Sequence, residues 1–176
     1  MICLKRFKNI NQKVKNKKIK TMKNIKLYLQ EAFNINQDNK PEQYTCQPKD
    51  RDELHEILKK RLAKDENANL NDIDVSKITD MRYAFSGLDP HDVDISEWDV
   101  SNVQNMNMMF YDCANFNADL SNWNVSNVET MGAMFDGCRK FTGKGLKNWD
   151  VSKVKEMGWM FSRCDKISHK PSWYKK

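Results

Sequence analysis

Residues 123–138, WNVSNVETMGAMFDGC, are written again on either side in altered spelling. Trp98 to Cys113 reads WDVSNVQNMNMMFYDC, Trp149 to Cys164 reads WDVSKVKEMGWMFSRC, and a more divergent copy, Ile73 to Leu88, reads IDVSKITDMRYAFSGL. The copies start at 73, 98, 123 and 149, so the spacings are 25, 25 and 26 residues. Self-similarity at a fixed period of this size predicts a stack in which each unit buries its apolar face on the next.

Within one copy, Ile73, Trp98, Trp123 and Trp149 share a position with Val75, Val100, Val125 and Val151 two residues on. Asp74, Asp99, Asn124 and Asp150 lie between them. This alternation predicts a short strand with one buried and one exposed face. Ser76, Ser101, Ser126 and Ser152 follow, with Thr79, Gln104, Glu129 and Lys155 three residues later. Ser-x-x-Gln and Ser-x-x-Glu are capping-box pairs, so a helix is expected to begin there. Val128, Met131, Met134, Phe135 and Cys138, with their counterparts, would form its buried face. The fold class expected is an α/β repeat solenoid: a right-handed, leucine-rich-repeat-like stack of short parallel strands and helices.

The flanks divide the rest. Residues 1–20 read as a basic, disordered tail, and residues 1–26 hold ten Lys/Arg and no acid. Residues 21–49 read as an amphipathic helix (Met22, Ile25, Tyr28, Leu29, Ala32, Phe33) followed by a linker. Over residues 50–72, Asp50 and Glu53 mark a capping box and Leu54, Ile57, Leu58 and Leu62 one stripe, which predicts an N-terminal cap helix. The four-repeat stack takes residues 73–168, and 169–176 form a C-terminal cap or tail. Beyond residue 26, 20 basic residues face 24 acidic ones, so the repeat body is mildly acidic. No apolar run approaches the length of a membrane span, and lysines interrupt the first 20 residues where a secretory leader would need an apolar core.

Three features invite a chemical reading. Cys113, Cys138 and Cys164 recur once per unit, but Leu88 fills that slot in the first copy, so a buried apolar slot is expected rather than a metal or thiol site. Asp74, Asp99, Asn124 and Asp150, joined by Lys77, Asn102, Asn127 and Lys153, would form an exposed polar ladder. Those side chains face a partner or cap the adjoining turn. Tyr83 and Trp159 stand where Met108 and Ala133 stand in the other copies, so the repeat does not require an aromatic there and a contact role is open. His55, His91 and His169 fall outside the repeated segments, and no catalytic, metal or cofactor site is expected.

LSNWNVSNVETMGAMFDGCRKF and its neighbours resemble the 26-residue bacterial surface-protein repeat, the BspA-like leucine-rich repeat family, over about residues 70–168. The lead-in RDELHEILKKRLAKDENANLNDIDVSKITDM is similar to the stretch that often precedes such arrays. The resemblance implies a bacterial surface or secreted adhesion protein, with no catalytic residues, that recognises other macromolecules through the exposed face. The expected partner is a protein or glycan, and host-directed recognition is among the functions implied. A cytoplasmic location stays open. The alternative is binding of nucleic acid or anionic membrane through the basic N-terminal arm, with nucleic acid disfavoured.

Overall fold

The structure, a computed structural model, describes residues 44–174. The chain divides into two compact units, Met1–Gln47 and Pro48–Lys176; of the first, only residues 44–47 are described. The basic tail expected over 1–20, the helix expected over 21–33 and most of the linker lie outside the described residues.

The second unit opens with α1, Arg51–Leu62. The Asp50 carboxylate accepts the Glu53 amide at 2.9 Å, and the Glu53 side chain accepts the Lys49 amide at 3.0 Å. Asp52 and Glu53 lie in the first turn and Lys59, Lys60 and Arg61 in the last, as the macrodipole favours. Leu54, Leu58 and Leu62 are buried.

From Ile73 onward the chain winds through four coils, which start at Ile73, Trp98, Trp123 and Trp149. The expected α/β architecture is wrong. Among the described residues α1 is the single α-helix, and no coil contains another. In place of a sheet, isolated parallel bridges link Asp80, Asn105, Thr130 and Glu156 in succession, with one more between Asn69 and Asp94. A coil is a series of tight turns.

The destination of the backbone amides explains this. In coil 3, Met134, Asp136 and Cys138 donate to Met131, Ala133 and Phe135, closing four-residue turns. The alternate amides of Met131, Ala133, Phe135 and Gly137 instead donate to Glu156, Gly158, Met160 and Ser162 of coil 4 at 2.8–3.0 Å. An α-helix would need every one of these donors within its own segment. The backbone also turns left-handed twice per coil. Tyr83, Met108, Ala133 and Trp159 have φ of 58°, 54°, 51° and 61°, and Gly87, Asp112, Gly137 and Arg163 repeat this four residues later. Left-handed residues do not occur within a right-handed helix. The 3-3-1-3 spacing of Val128, Met131, Met134, Phe135 and Cys138 therefore comes from successive turns that share one interior. The capping boxes fail for a related reason: the Glu129 amide donates at 2.8 Å to Gln104 of the preceding coil, not to Ser126.

The interior is a set of columns. Phe85, Phe110, Phe135 and Phe161 follow one another at centroid distances of 4.9, 5.6 and 5.8 Å, with Phe116 and Phe141 between them. Trp98, Trp123, Trp149 and Trp173 stack at 6.4, 6.5 and 6.2 Å with ring planes within 11° of each other. Each indole also donates to a carbonyl of the coil before: Trp98 to Leu70, Trp123 to Ile95, Trp149 to Leu120 and Trp173 to Leu146. Burying an aromatic side chain of this size contributes about 1.5–3 kcal/mol, so the columns are the main source of cohesion between coils. The one extra residue of coil 3 is absorbed at Gly145, where φ is 94°, and the 3-10 helix Leu146–Asn148.

Candidate functional site

The polar ladder closes on itself. The carboxylate or amide oxygens of Asp74, Asp99, Asn124 and Asp150 each accept the amide of the serine two residues on at 3.0–3.1 Å. Ser76 adds its hydroxyl at 2.6 Å. The Ser152 amide holds the Asp150 carboxyl below its ordinary range. Of the neighbouring column, Asn102 and Asn127 donate their side-chain amides to the Ser76 and Ser101 carbonyls of the preceding coil at 2.9 and 2.8 Å. Lys153 reaches the Asn127 side chain at 2.6 Å, and Lys77 is exposed. These residues are tied into turns and rungs, with their outer edges in water.

A second polar column escaped the sequence reading. Asp94 and Asp119 accept both the amide and the hydroxyl of Ser96 and Ser121. Lys144 lies 2.8 Å from Asp119 and, with the Ser121 bonds, lowers its pKa to about 2. The signal was present as Asp-x-Ser at 94–96 and 119–121, upstream of Trp98 and Trp123.

Tyr83 and Trp159 occupy equivalent left-handed positions and point into solvent, 46% and 76% exposed; they are the exposed large hydrophobics among the described residues. Between them on the stack, Met108 is half-buried and Ala133 is 7% exposed. The column is thus high at its ends and low at Ala133. Gly132 and Gly158 precede the last two members, and a Cβ on Gly158 would meet nothing within 4 Å. Close by, Arg163 bonds back to Asp112 and Asp136, both at 2.9 Å, with its guanidinium 5.8 Å from the centre of the Tyr111 ring.

The cysteine column is interior. Cys113, Cys138 and Cys164 donate through Sγ to the carbonyls of Phe85, Phe110 and Phe135, one coil back, at 3.3, 3.0 and 3.0 Å. Burial pushes Cys113 up to about 12 and Cys164 up to about 11, and raises Cys138 further. Neutral thiols committed to carbonyls are poor nucleophiles. Among the described residues no group of three His, Cys, Asp or Glu side chains is placed to hold a metal ion. His55 Nδ1 lies 3.0 Å from the Ala84 carbonyl; a carbonyl only accepts, so this nitrogen carries the proton. A shallow polar cleft of about 290 Å³ is lined by His91, Asp92, Asn115, Asn117, Lys140, Thr142 and Lys166. Within it Thr142 donates to Asn117, and His91 faces Glu66 at 3.2 Å.

These features define a turn-built coil stack with a satisfied interior and an exposed aromatic column. Residues 52–174 match the family described as "Mycoplasma protein of unknown function, DUF285", and the chain belongs to that family. Comparison with curated proteins and with solved structures gave no match. The resemblance to BspA-like leucine-rich repeats is therefore overturned, and with it the description as a leucine-rich solenoid surface adhesin. The match is to a different family, and the coils lack the strands such a solenoid requires. The surface or secreted location was implied by that resemblance alone. No helix among the described residues is long and apolar enough to cross a membrane.

Proposed function

We propose that the chain is a non-enzymatic recognition module that presents one face of its coil stack to a protein partner. The observation that supports this most is the column of Tyr83, Met108, Ala133 and Trp159. At φ near +55° a bulky side chain costs of order 1 kcal/mol or more, which glycine would avoid. Trp159 bears that cost with its ring largely in water and Tyr83 with nearly half of its surface exposed, so core packing repays little of it at Trp159 and only part of it at Tyr83. Exposed aromatics on a rigid support are common anchors at protein interfaces. The turns behind them are locked by inter-coil hydrogen bonds, so they are held in place before a partner arrives, which lowers the entropy cost of binding.

A photo-crosslinking amino acid placed in turn at positions 83, 108 and 159 of the full chain tests the reading, with position 119 on the other polar column as control. Partner crosslinks are expected from the first three positions and not from the control. Equal capture from position 119, or loss of all binding on removal of residues 1–26, would sink the proposal in favour of another surface or the basic arm.

A further inference from the structure

On much of this stack, acids and bases pair across coils. Lys144 holds Asp119, Lys155 holds Glu129, Arg163 spans Asp112 and Asp136, and Arg139 faces Asp165. The shallow cleft of about 290 Å³ departs from that pattern. Coil 1 gives it Asp92, coil 3 gives it Lys140, and coil 4 gives it Lys166. Among the described residues, none of these three side chains has a hydrogen-bond or ion-pair partner. Asn115 and Asn117 of coil 2 lie between, so opposite charges line one depression without neutralising each other. The acids nearest the lysines are committed elsewhere: Asp89 accepts the backbone and side-chain amides of Asn115, both at 2.8 Å, and Asp165 faces Arg139 at 3.6 Å. Lys140 has a coil on either side, so its lack of a partner is set by the neighbours the sequence gives it. Lys166 takes the same place one coil on, two residues after the column cysteine. Like charges one coil apart repel, and an anion between them relieves the repulsion.

The walls of the cleft are fixed by bonds between coils. The Asn117 amide donates to the His91 carbonyl at 3.4 Å and the Lys140 amide to the Ala114 carbonyl at 3.0 Å. Thr142 donates both its amide and its hydroxyl to Asn117 Oδ1, at 3.0 and 2.9 Å. This occupies the acceptor of the Asn117 side chain and leaves its NH2 group to donate, while the Thr142 oxygen can still accept. The Asp92 carboxylate only accepts. An acceptor, a donor, a second acceptor and two cations thus follow one another along the stack. A bare oxyanion satisfies the lysines but is repelled by Asp92, and a neutral sugar satisfies Asp92 and Asn117 but leaves the lysines unmet. A hydroxylated ring with one anionic group serves both halves. No lining residue is apolar, and the cleft lies at the small end of ligand sites, which suits one ring rather than a chain. We infer that this cleft binds a sugar bearing a carboxylate or phosphate, with its hydroxyls on Asp92, Asn117 and Thr142 and its anion between Lys140 and Lys166. No member of the aromatic column lines it, so it is a second site and does not rest on the recognition reading.

The full chain, isotope-labelled, is titrated with glucuronate, glucose 6-phosphate, glucose and inorganic phosphate while its backbone amide shifts are followed by NMR. At least one anionic sugar should shift the amides of Asn117, Lys140 and Thr142 with a Kd of about 1 mM or tighter, about fivefold or more below that of glucose or phosphate. The tighter of the two anionic sugars identifies the anion as carboxylate or phosphate. Lys140→Ala combined with Lys166→Ala should weaken that sugar about tenfold, and Asp92→Ala should weaken it about threefold while leaving phosphate no weaker. These side chains have no partners among the described residues, so an unchanged Tm is expected in each variant. Equal affinity for phosphate and the anionic sugars overturns the inference in favour of a plain pair of cations. Absence of shifts at the three named amides overturns it, as does binding that survives the double lysine variant, which places the anion on another basic surface such as residues 1–26. Crosslinks from positions 83, 108 and 159 report on a different face, so neither result decides the other.

Discussion

Trp123 and Ile95, 28 residues apart in sequence, are joined by a hydrogen bond of 3.0 Å from the indole nitrogen to the backbone carbonyl, in the buried interior. The bond welds one coil to the one before while the ring supports the one after. Trp123→Phe keeps much of the apolar surface but leaves the Ile95 carbonyl with only the Trp98 amide, which donates to it at 3.2 Å. A loss of about 0.5–1.5 kcal/mol is expected, measured by urea denaturation with an unchanged slope; an unaltered midpoint would show the bond to be dispensable.

The thiols give a pH dependence. Cys113 has a folded pKa of about 12 against an ordinary value of 9.0, with burial the main cause. Its protonated form is favoured by the fold, so the contribution is fully present below pH 9. It declines from pH 9 towards 12 as the unfolded thiol ionises and the folded one does not. Stability should therefore fall over that window, and less steeply in Cys113→Ala. At pH 8 the native protein should resist thiol reagents, with Cys164, the least buried of the three, reacting first; rapid labelling of all three would contradict the buried column.

Gly145 has φ of 94°, and a Cβ there would overlap the backbone nitrogen of Ser121 in the preceding coil. The Leu120 carbonyl carbon and the Ser121 Cα lie almost as near, and all three are backbone atoms that cannot swing aside. Gly145→Ala should cost more than the ~1 kcal/mol of an ordinary left-handed site, seen as a large drop in Tm. Gly87→Ala, which also has positive φ but meets nothing within 4 Å, should cost far less.

The hydroxyl of Thr130 is buried, and among the described residues it has no hydrogen-bond partner. Thr130→Val removes that unmet demand at nearly constant shape and should raise stability by about 1 kcal/mol. A destabilised variant, measured by thermal or chemical denaturation, would point to a polar partner at this position.

What the sequence made legible was recurrence and inwardness. The tryptophan, valine, methionine, phenylalanine and cysteine columns could be read from alignment of the copies, because a buried slot constrains size and polarity wherever it recurs. α1 was legible from Asp50, Glu53 and its leucine stripe. The path of the backbone between the slots was not. A 3-3-1-3 apolar spacing fits one helix face and a run of four-residue turns equally well, and Tyr83, Met108 and Trp159 at φ near +55° carry no sign of a left-handed site. The glycines at 87 and 137 hinted at one, but Asp112 and Arg163 occupy the same place. Trp173 was hidden because no Asp-Val-Ser follows it. The exposed aromatics were visible as departures from the repeat.

The single extra residue of coil 3 lies at the Gly143–Gly145 corner, while the segment from tryptophan to cysteine keeps the same length in every copy. Insertions are thus tolerated on one side of the winding and forbidden on the other. Gene duplication or loss in whole units, such as excision of residues 98–122, would leave every remaining contact in phase. Lineages can then drift in copy number without relearning how to fold, and the number of turns becomes a dial for how far the terminal tryptophan stands from α1.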